Sequence, residues 1–237
     1  MRIARFELAT SCMSNRMLML PINSQGQPDY KFMEKYMKEI EKNQITKYKQ
    51  YLKTSDLLQR GRSICSEIKV EWKEFYIKDI FNIKATQSGI DKIKLKDNGN
   101  CKIPYVTRTD KNNGIDSFIS QQDKNKDNKN TISIGLDTQT VFYQTHNFYT
   151  RQNIQVAHNN KLNRYNAIFL INLLRLQMKK FFWGGNGATL GRLGYTKILL
   201  PIDENNQPNY PYMEQYIKNI EYKKIMKCVK YLEMAKI

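Results

Sequence analysis

The scarcities of this chain exclude several functions first. Two histidines, His146 and His158, are too few and too isolated for a metal centre, and each reads as a surface or strand residue. Four cysteines (Cys12, Cys65, Cys101, Cys228) show no paired spacing. They read as reduced thiols of a cytoplasmic protein, not as a disulfide frame or a zinc site. The longest apolar run, "AIFLINLL" from Ala167 to Leu174, is well short of a membrane span. "MRIARFELATS" lacks the apolar core of a signal peptide. No membrane partner is expected. Serines, histidines and acids form no triad-like arrangement.

Acidic residues are the most telling scarcity. Lys and Arg number 39 against 22 Asp and Glu, a net charge of +17. From Thr138 to Ile202 there is no Asp or Glu, yet that stretch carries Arg151, Lys161, Arg164, Arg175, Lys179, Lys180, Arg192 and Lys197. Codon bias toward lysine would explain the lysines but not the missing acids. A polyanionic partner explains both, because a carboxylate facing phosphates would be repelled. Nucleic acid ranks first and an anionic membrane surface second.

What is present is a repeat. "LPINSQGQPDYKFMEKYMKEIE" from Leu20 returns as "LPIDENNQPNYPYMEQYIKNIE" from Leu200, without a gap. Pro201 follows Pro21 by 180 residues, far too long a period for a solenoid, so a whole domain fits between the copies. Each copy opens a helical pattern. Met33, Tyr36, Ile40 and Tyr48 mark the first stripe, and Met213, Ile217, Ile220 and Leu232 the second. Each helix should run about 40 Å. A narrow stripe on so long a helix is most simply buried along another helix; the alternative is that each lies on its own domain.

The segment between has another texture. "SDLLQRGRSIC" (Ser55 to Cys65) is a connector and "WKEFYIKDIFNI" starts a folded unit at Trp72. "KIPYVTRT", "TISIGL", "TVFYQ" and "NIQVAH" read as strands, "DKNNG" as a turn and "QQDKNKDNKN" as a solvated loop. "RYNAIFLINLLRLQMKKFF" reads as an amphipathic helix, and "GRLGYTKILLP" as a return to strand.

The ordered motifs "WKEFYIKDIF", "IPYVTRTDKNNG", "TISIGLDTQTVFYQ", "FYTRQNIQV", "FFWGGNGATLGRL" and "KILLPIDENNQP" resemble a target-recognition domain. The family is the specificity (S) subunit of Type I and related Type IIG/B-like restriction–modification systems. The resemblance implies an α+β fold: one mixed, strand-rich recognition domain flanked by two long helices that pack as an antiparallel, coiled-coil-like spacer. It divides the chain into a remnant of a preceding recognition domain (1–24), a first spacer helix with connector (25–64), the recognition domain (65–202) and a second spacer helix (203–237). It also implies double-stranded DNA and a methyltransferase subunit as partners, a restriction subunit indirectly, and pairing of two half-length chains into a homodimer.

Catalysis is not expected of this chain. The glycine-rich cofactor loop and Asn/Asp-Pro-Pro-Tyr/Phe motif of a methyltransferase are missing, so no cofactor is expected. The acid-poor body argues against a magnesium nuclease. "GGNGATLG" lacks the Lys-Ser/Thr of a phosphate loop and leads into a strand pattern. Its Gly185 and Asn186 fit either a DNA phosphate contact or a tight turn. The rivals are a stand-alone DNA-modifying enzyme and a non-specific basic binder.

For base reading, Arg pairs with guanine and Asn or Gln with adenine through two hydrogen bonds. Three clusters supply such groups. The first is Lys84, Thr86, Gln87 and Ser88. The second is Arg108, Thr109, Lys111, Asn112 and Asn113. The third is Asn147, Tyr149, Thr150, Arg151 and Gln152. Lys179, Lys180 and Arg192 are candidate backbone contacts, and Trp183 fits either that role or the core.

Overall fold

The computed structural model describes residues 3–7, 17–54, 70–181 and 187–234. The connector at Ser55–Cys65, together with Trp183, Gly185 and Asn186, lies outside them. The chain divides into two compact units, Ser66–Ile220 and the combination of Met1–Cys65 with Glu221–Ile237. The architecture is mixed α+β and rich in strands.

The larger unit is built round a four-stranded antiparallel sheet in the order β4-β10-β7-β8. Its strands are β4 (Asn82–Ala85), β7 (Thr131–Gly135), β8 (Thr140–Gln144) and β10 (Ile154–His158). Alternation decides which side chain faces where. Ile132, Ile134, Val141 and Ala157 enter one core cluster with Ala167, Leu170, Ile171, Leu174 and Met178 of helix α3 (Arg164–Met178). Ile154 and Val156, the odd-face residues of β10, join Val106, Phe148 and Ile115 instead. The second sheet is three-stranded, β6-β5-β9, with β5 (Ile103–Val106), β6 (Ile115–Ile119) and β9 (Tyr149–Thr150). Helix α3 starts cleanly because Asn163 and Asn166 form a reciprocal capping box.

A strand pair brackets the two sheets of this unit. β3 (Trp72–Tyr76) lies antiparallel to β11 (Lys197–Pro201), with Trp72 opposite Pro201. A one-turn helix, α2 (Ile77–Ile80), follows β3. "GRLGYTKILLP" does not return directly to strand: Thr189 caps a short helix, α4 (Leu190–Gly194), before β11. The Thr189 hydroxyl accepts the Arg192 amide, a cap signal masked in the sequence by the glycines on either side.

The repeat is reproduced bond for bond. In the first copy the Asn23 carboxamide accepts the amides of Gln25 and Gln27; in the second, Asp203 accepts those of Asn205 and Gln207. Ile22 bridges Pro28, as Ile202 bridges Pro208. Asp29 caps helix α1 (Tyr30–Thr54) through the Phe32 amide, and Asn209 caps α5 (Tyr210–Met234) through the Tyr212 amide, both at 2.9 Å. Gly26 and Asn206 hold the left-handed position, which glycine and asparagine tolerate best. Both helices have 25 residues.

Burial separates the copies. Tyr210 is 9% exposed and Met213 fully buried, both in the core of the larger unit with Ile217 packed against them. Tyr30 is 72% exposed, and Tyr36, Met37, Ile40 and Tyr48 are exposed as well. The stripe residues Met213 and Ile217 therefore serve the larger unit's core. Among the described residues of the smaller unit, the buried apolar ones are Ile45 of α1 and Val229 of α5. Ile220 is half-buried, and the Leu232 side chain lies outside the described residues. That unit also holds an antiparallel strand pair, β1 (Ile3–Glu7) and β2 (Met17–Pro21). Among the described residues no helix is long and apolar enough to cross a membrane. Cys101 and Cys228 are free and exposed.

Candidate nucleic-acid interface

Register brings parts of all three clusters to one end of the four-stranded sheet. Ala85 pairs with Gln155, Ile154 with Gly135, and Gly135 with Thr140. The segments that follow β4, precede β10 and join β7 to β8 therefore share an edge. The second sheet delivers the rest. β5 runs parallel to β9, with Val106 beside Thr150, and the Arg151 amide donates to the Val106 carbonyl at 2.9 Å. Thr107–Thr109 are thus set next to Arg151 and Gln152.

Two aspartates organise this edge, and sequence reading missed both. Asp137, in the β7–β8 turn, pairs with the Arg108 guanidinium and accepts the Asn153 carboxamide at 3.2 Å. Gly135 is needed beneath it, because a Cβ there would collide with the hydroxyls of Thr138 and Thr140. Asp127 accepts the Thr86 hydroxyl at 2.6 Å and the Gln87 amide at 3.1 Å. Burial raises its carboxyl above the ordinary 3.8, against the lowering pull of those two donors and Ser88. A third acid, Asp91, lies 3.7 Å from the Arg151 guanidinium and accepts from Gln152 at 3.2 Å. The signal for Asp137 was "GLDT", a glycine and an acid between two strand patterns. Asp127 gave none, being one acid in a run that reads as solvated.

The nominated side chains divide by burial. Lys84, Gln87, Arg151 and Gln152 are exposed, and Thr86, Arg108 and Thr109 half-buried. Ser88, Tyr149 and Thr150 are turned inward. The Tyr149 hydroxyl donates to the Gln122 carbonyl and accepts the Gln122 amide, both at 3.1 Å. Thr150 and Ser88 bond each other. These three are framework beneath the edge.

Other nominees do not join it. Lys111, Asn112 and Asn113 form a 3-10 turn tied to the opposite end of β8, where Asn113 donates to the Tyr143 carbonyl. Asn112 and Asn113 have positive φ, so the backbone itself calls for asparagine there. Asn147 caps the Lys129 amide. Lys179 and Lys180 are exposed at the end of α3, linked to the edge where Gln139 bonds the Phe181 carbonyl. Arg192 lies on α4, which packs on α2 and β4.

The acid-free sequence does not make an acid-free surface. Lys197 pairs with Glu74 of β3 at 2.8 Å, and Arg175 gives two hydrogen bonds to the Val141 carbonyl. Lys161 lies over the Tyr210 ring. Acids distant in sequence are brought back by the fold, so Asp91 and Asp137 stand among the cations.

The model of the Type I restriction modification DNA specificity domain matches residues 69–228. The chain belongs to that family. The match thus takes in nearly all of the larger unit, the second copy of the repeat and most of α5. A curated relative is the specificity subunit S.BcgI of a Type II restriction enzyme from Heyndrickxia coagulans, 27% identical over 211 residues. That match covers 87% of this chain and 58% of the relative. Solved structures include the S subunit of a Type-I restriction-modification system from M. genitalium, 15% identical with a TM-score of 0.45, over 81% of this chain and 56% of that one. Another is the HsdS subunit from Thermoanaerobacter tengcongensis, 13% identical with a TM-score of 0.45, over 94% and 56%. The chain spans little more than half the length of these relatives.

Proposed function

We propose that this specificity domain reads a short sequence in double-stranded DNA and holds a methyltransferase subunit there, without bond-making chemistry of its own. Residues 65–202 serve as the reader and 25–64 and 203–237 as spacers, with 1–24 as the end of a further recognition domain. The observation that carries the reading is the shared edge, which sets Arg108 beside Arg151 and Gln152, with Gln87 following β4 at the same end of the sheet, within a member of this family. Lys84, Lys179 and Lys180 are suited to flanking phosphates, which position without specifying.

Two copies pair through their long helices to read a symmetric, interrupted site, and a restriction subunit joins through the methyltransferase. The exposed apolar face of α1 (Tyr30, Tyr36, Met37, Ile40) supports the pairing. Methylome mapping of cells carrying this chain with its methyltransferase tests the whole reading. One methylated motif with two separated halves is the expected result. Methylation independent of sequence would defeat it, and so would DNA cleavage or methyl transfer by the chain alone.

A further inference from the structure

Asp127 sits where two of the clusters cross. It is 2% exposed, although its sequence neighbours read as a solvated loop. Its backbone amide and carbonyl both pair with Phe148, at 2.9 and 3.1 Å, just ahead of Tyr149 and Thr150. Its carboxylate reaches the other way, to the Thr86 hydroxyl and the Gln87 amide. Thr86 in turn contacts the hydroxyls of Ser88 and Thr150, and the Ser88 hydroxyl accepts the Thr150 amide at 2.8 Å. One buried carboxyl and three hydroxyls thereby fix the course of residues 86–88 against β9.

What this cluster leaves outside is Gln87. Its side chain, with Lys84, Asn128 and His158, lines a cleft of about 430 Å³. Lys84 and His158 are the charged or titratable side chains sharing that cleft with Asp127, and Lys124 approaches from the loop to bond the Ser88 carbonyl at 2.7 Å. None of the three forms an ion pair with Asp127 among the described contacts. A carboxyl buried without an ionic partner is costly. What it supplies here is two acceptors at a spacing that matches one hydroxyl and one amide.

We propose that Asp127 is a positioning residue for DNA reading: by fixing the backbone at Gln87 it aims that side-chain amide at a base edge in the duplex. This rests on the DNA-reading function proposed above. A glutamine held so that both amide atoms meet adenine discriminates by about tenfold or more. A glutamine on a wandering loop loses that.

The experiment uses the full chain. A preferred duplex is first selected by the wild type from a randomised pool. The ratio of Kd for an unrelated duplex to Kd for the selected one is then measured for Q87A, D127A, D127N and the double alanine variant. D127A and Q87A should each lower the ratio about tenfold. The double variant should match the worse single variant to within about twofold, since both remove one positioned contact. D127N should keep the ratio, because its amide can donate to the Thr86 hydroxyl while its carbonyl accepts the Gln87 amide. A D127A ratio equal to wild type, multiplying losses in the double variant, or a D127N as poor as D127A would each overturn the proposal. Should D127A fail to fold by circular dichroism, Thr86→Val carries the same test, with the same loss expected and an unchanged ratio counting against. A wild-type chain that selects no preferred duplex would overturn DNA reading itself, a result distinct from all of these.

Discussion

Arg151 and Arg175 carry the same guanidinium into different surroundings. Arg175 spends its Nε and Nη2 on one carbonyl, Val141, and lies over the Phe142 ring at 5.1 Å. Its loss should destabilise the fold by about 1–3 kcal/mol and leave the salt dependence of DNA binding unchanged. Arg151 is exposed at the shared edge, so R151A should flatten the slope of log K against log salt by about one, with little change in the urea midpoint. Titrations at several salt concentrations, beside urea melts, separate the two. At Asp127 the native carboxyl holds its proton more tightly than the unfolded chain does, because burial raises its pKa. That contribution to stability is present below the unfolded value and is lost as pH rises through the native one. Against wild type, D127N should therefore gain relative stability across that window, as melts at stepped pH would show. Residue types alone could not sort these roles: Ser88, Thr150 and Gln87 are all polar and close together in sequence or space, and only burial separates framework from surface.

The repeated element invites a comparison that sequence identity conceals. Tyr30 and Tyr210 occupy the same position in copies that share every turn hydrogen bond described. Tyr210 is buried and its hydroxyl accepts from Asn159 at 2.7 Å, whereas Tyr30 stands in solvent. Tyr210→Ala should cost about 3–5 kcal/mol and Tyr30→Ala within about 0.5 kcal/mol, measured by urea denaturation. Both helices were legible from their period, and β7, β8 and β10 of the central sheet from their alternation; β4, only four residues long, left no such signal. The joints were legible as repeats, but not as Asx-turn, bridge and cap in series. β9 escaped because two residues are too few to show a period, and α4 because glycines hid its cap. Contact between distant segments, such as Glu74 with Lys197, leaves no local trace, which is why the missing acids suggested a barer surface than the fold presents.

On the scale of the whole molecule the net charge of +17 should dominate encounter with the proposed DNA partner. Affinity for any duplex should fall steeply with salt while preference for the selected site survives. Sedimentation should find a dimer at micromolar concentration, and a charge on the exposed α1 face, as in Ile40→Glu, should shift it toward monomer. A monomer in both cases would remove the pairing from the proposed function.

The strand pair β3–β11 has a consequence for how new specificities arise. Because the chain enters and leaves the strand-rich body on neighbouring antiparallel strands, with Trp72 opposite Pro201, the segment between them is joined to the rest of the chain at one strand pair, and the start of α5 completes its core through Tyr210 and Met213. Genetic exchange with breakpoints in those two short segments would replace both sheets and α3 in one event, and the incoming segment would have to repack on Tyr210 and Met213. The repeats and long helices would be left standing, and, under the proposed function, evolution could change the reader without rebuilding what carries it.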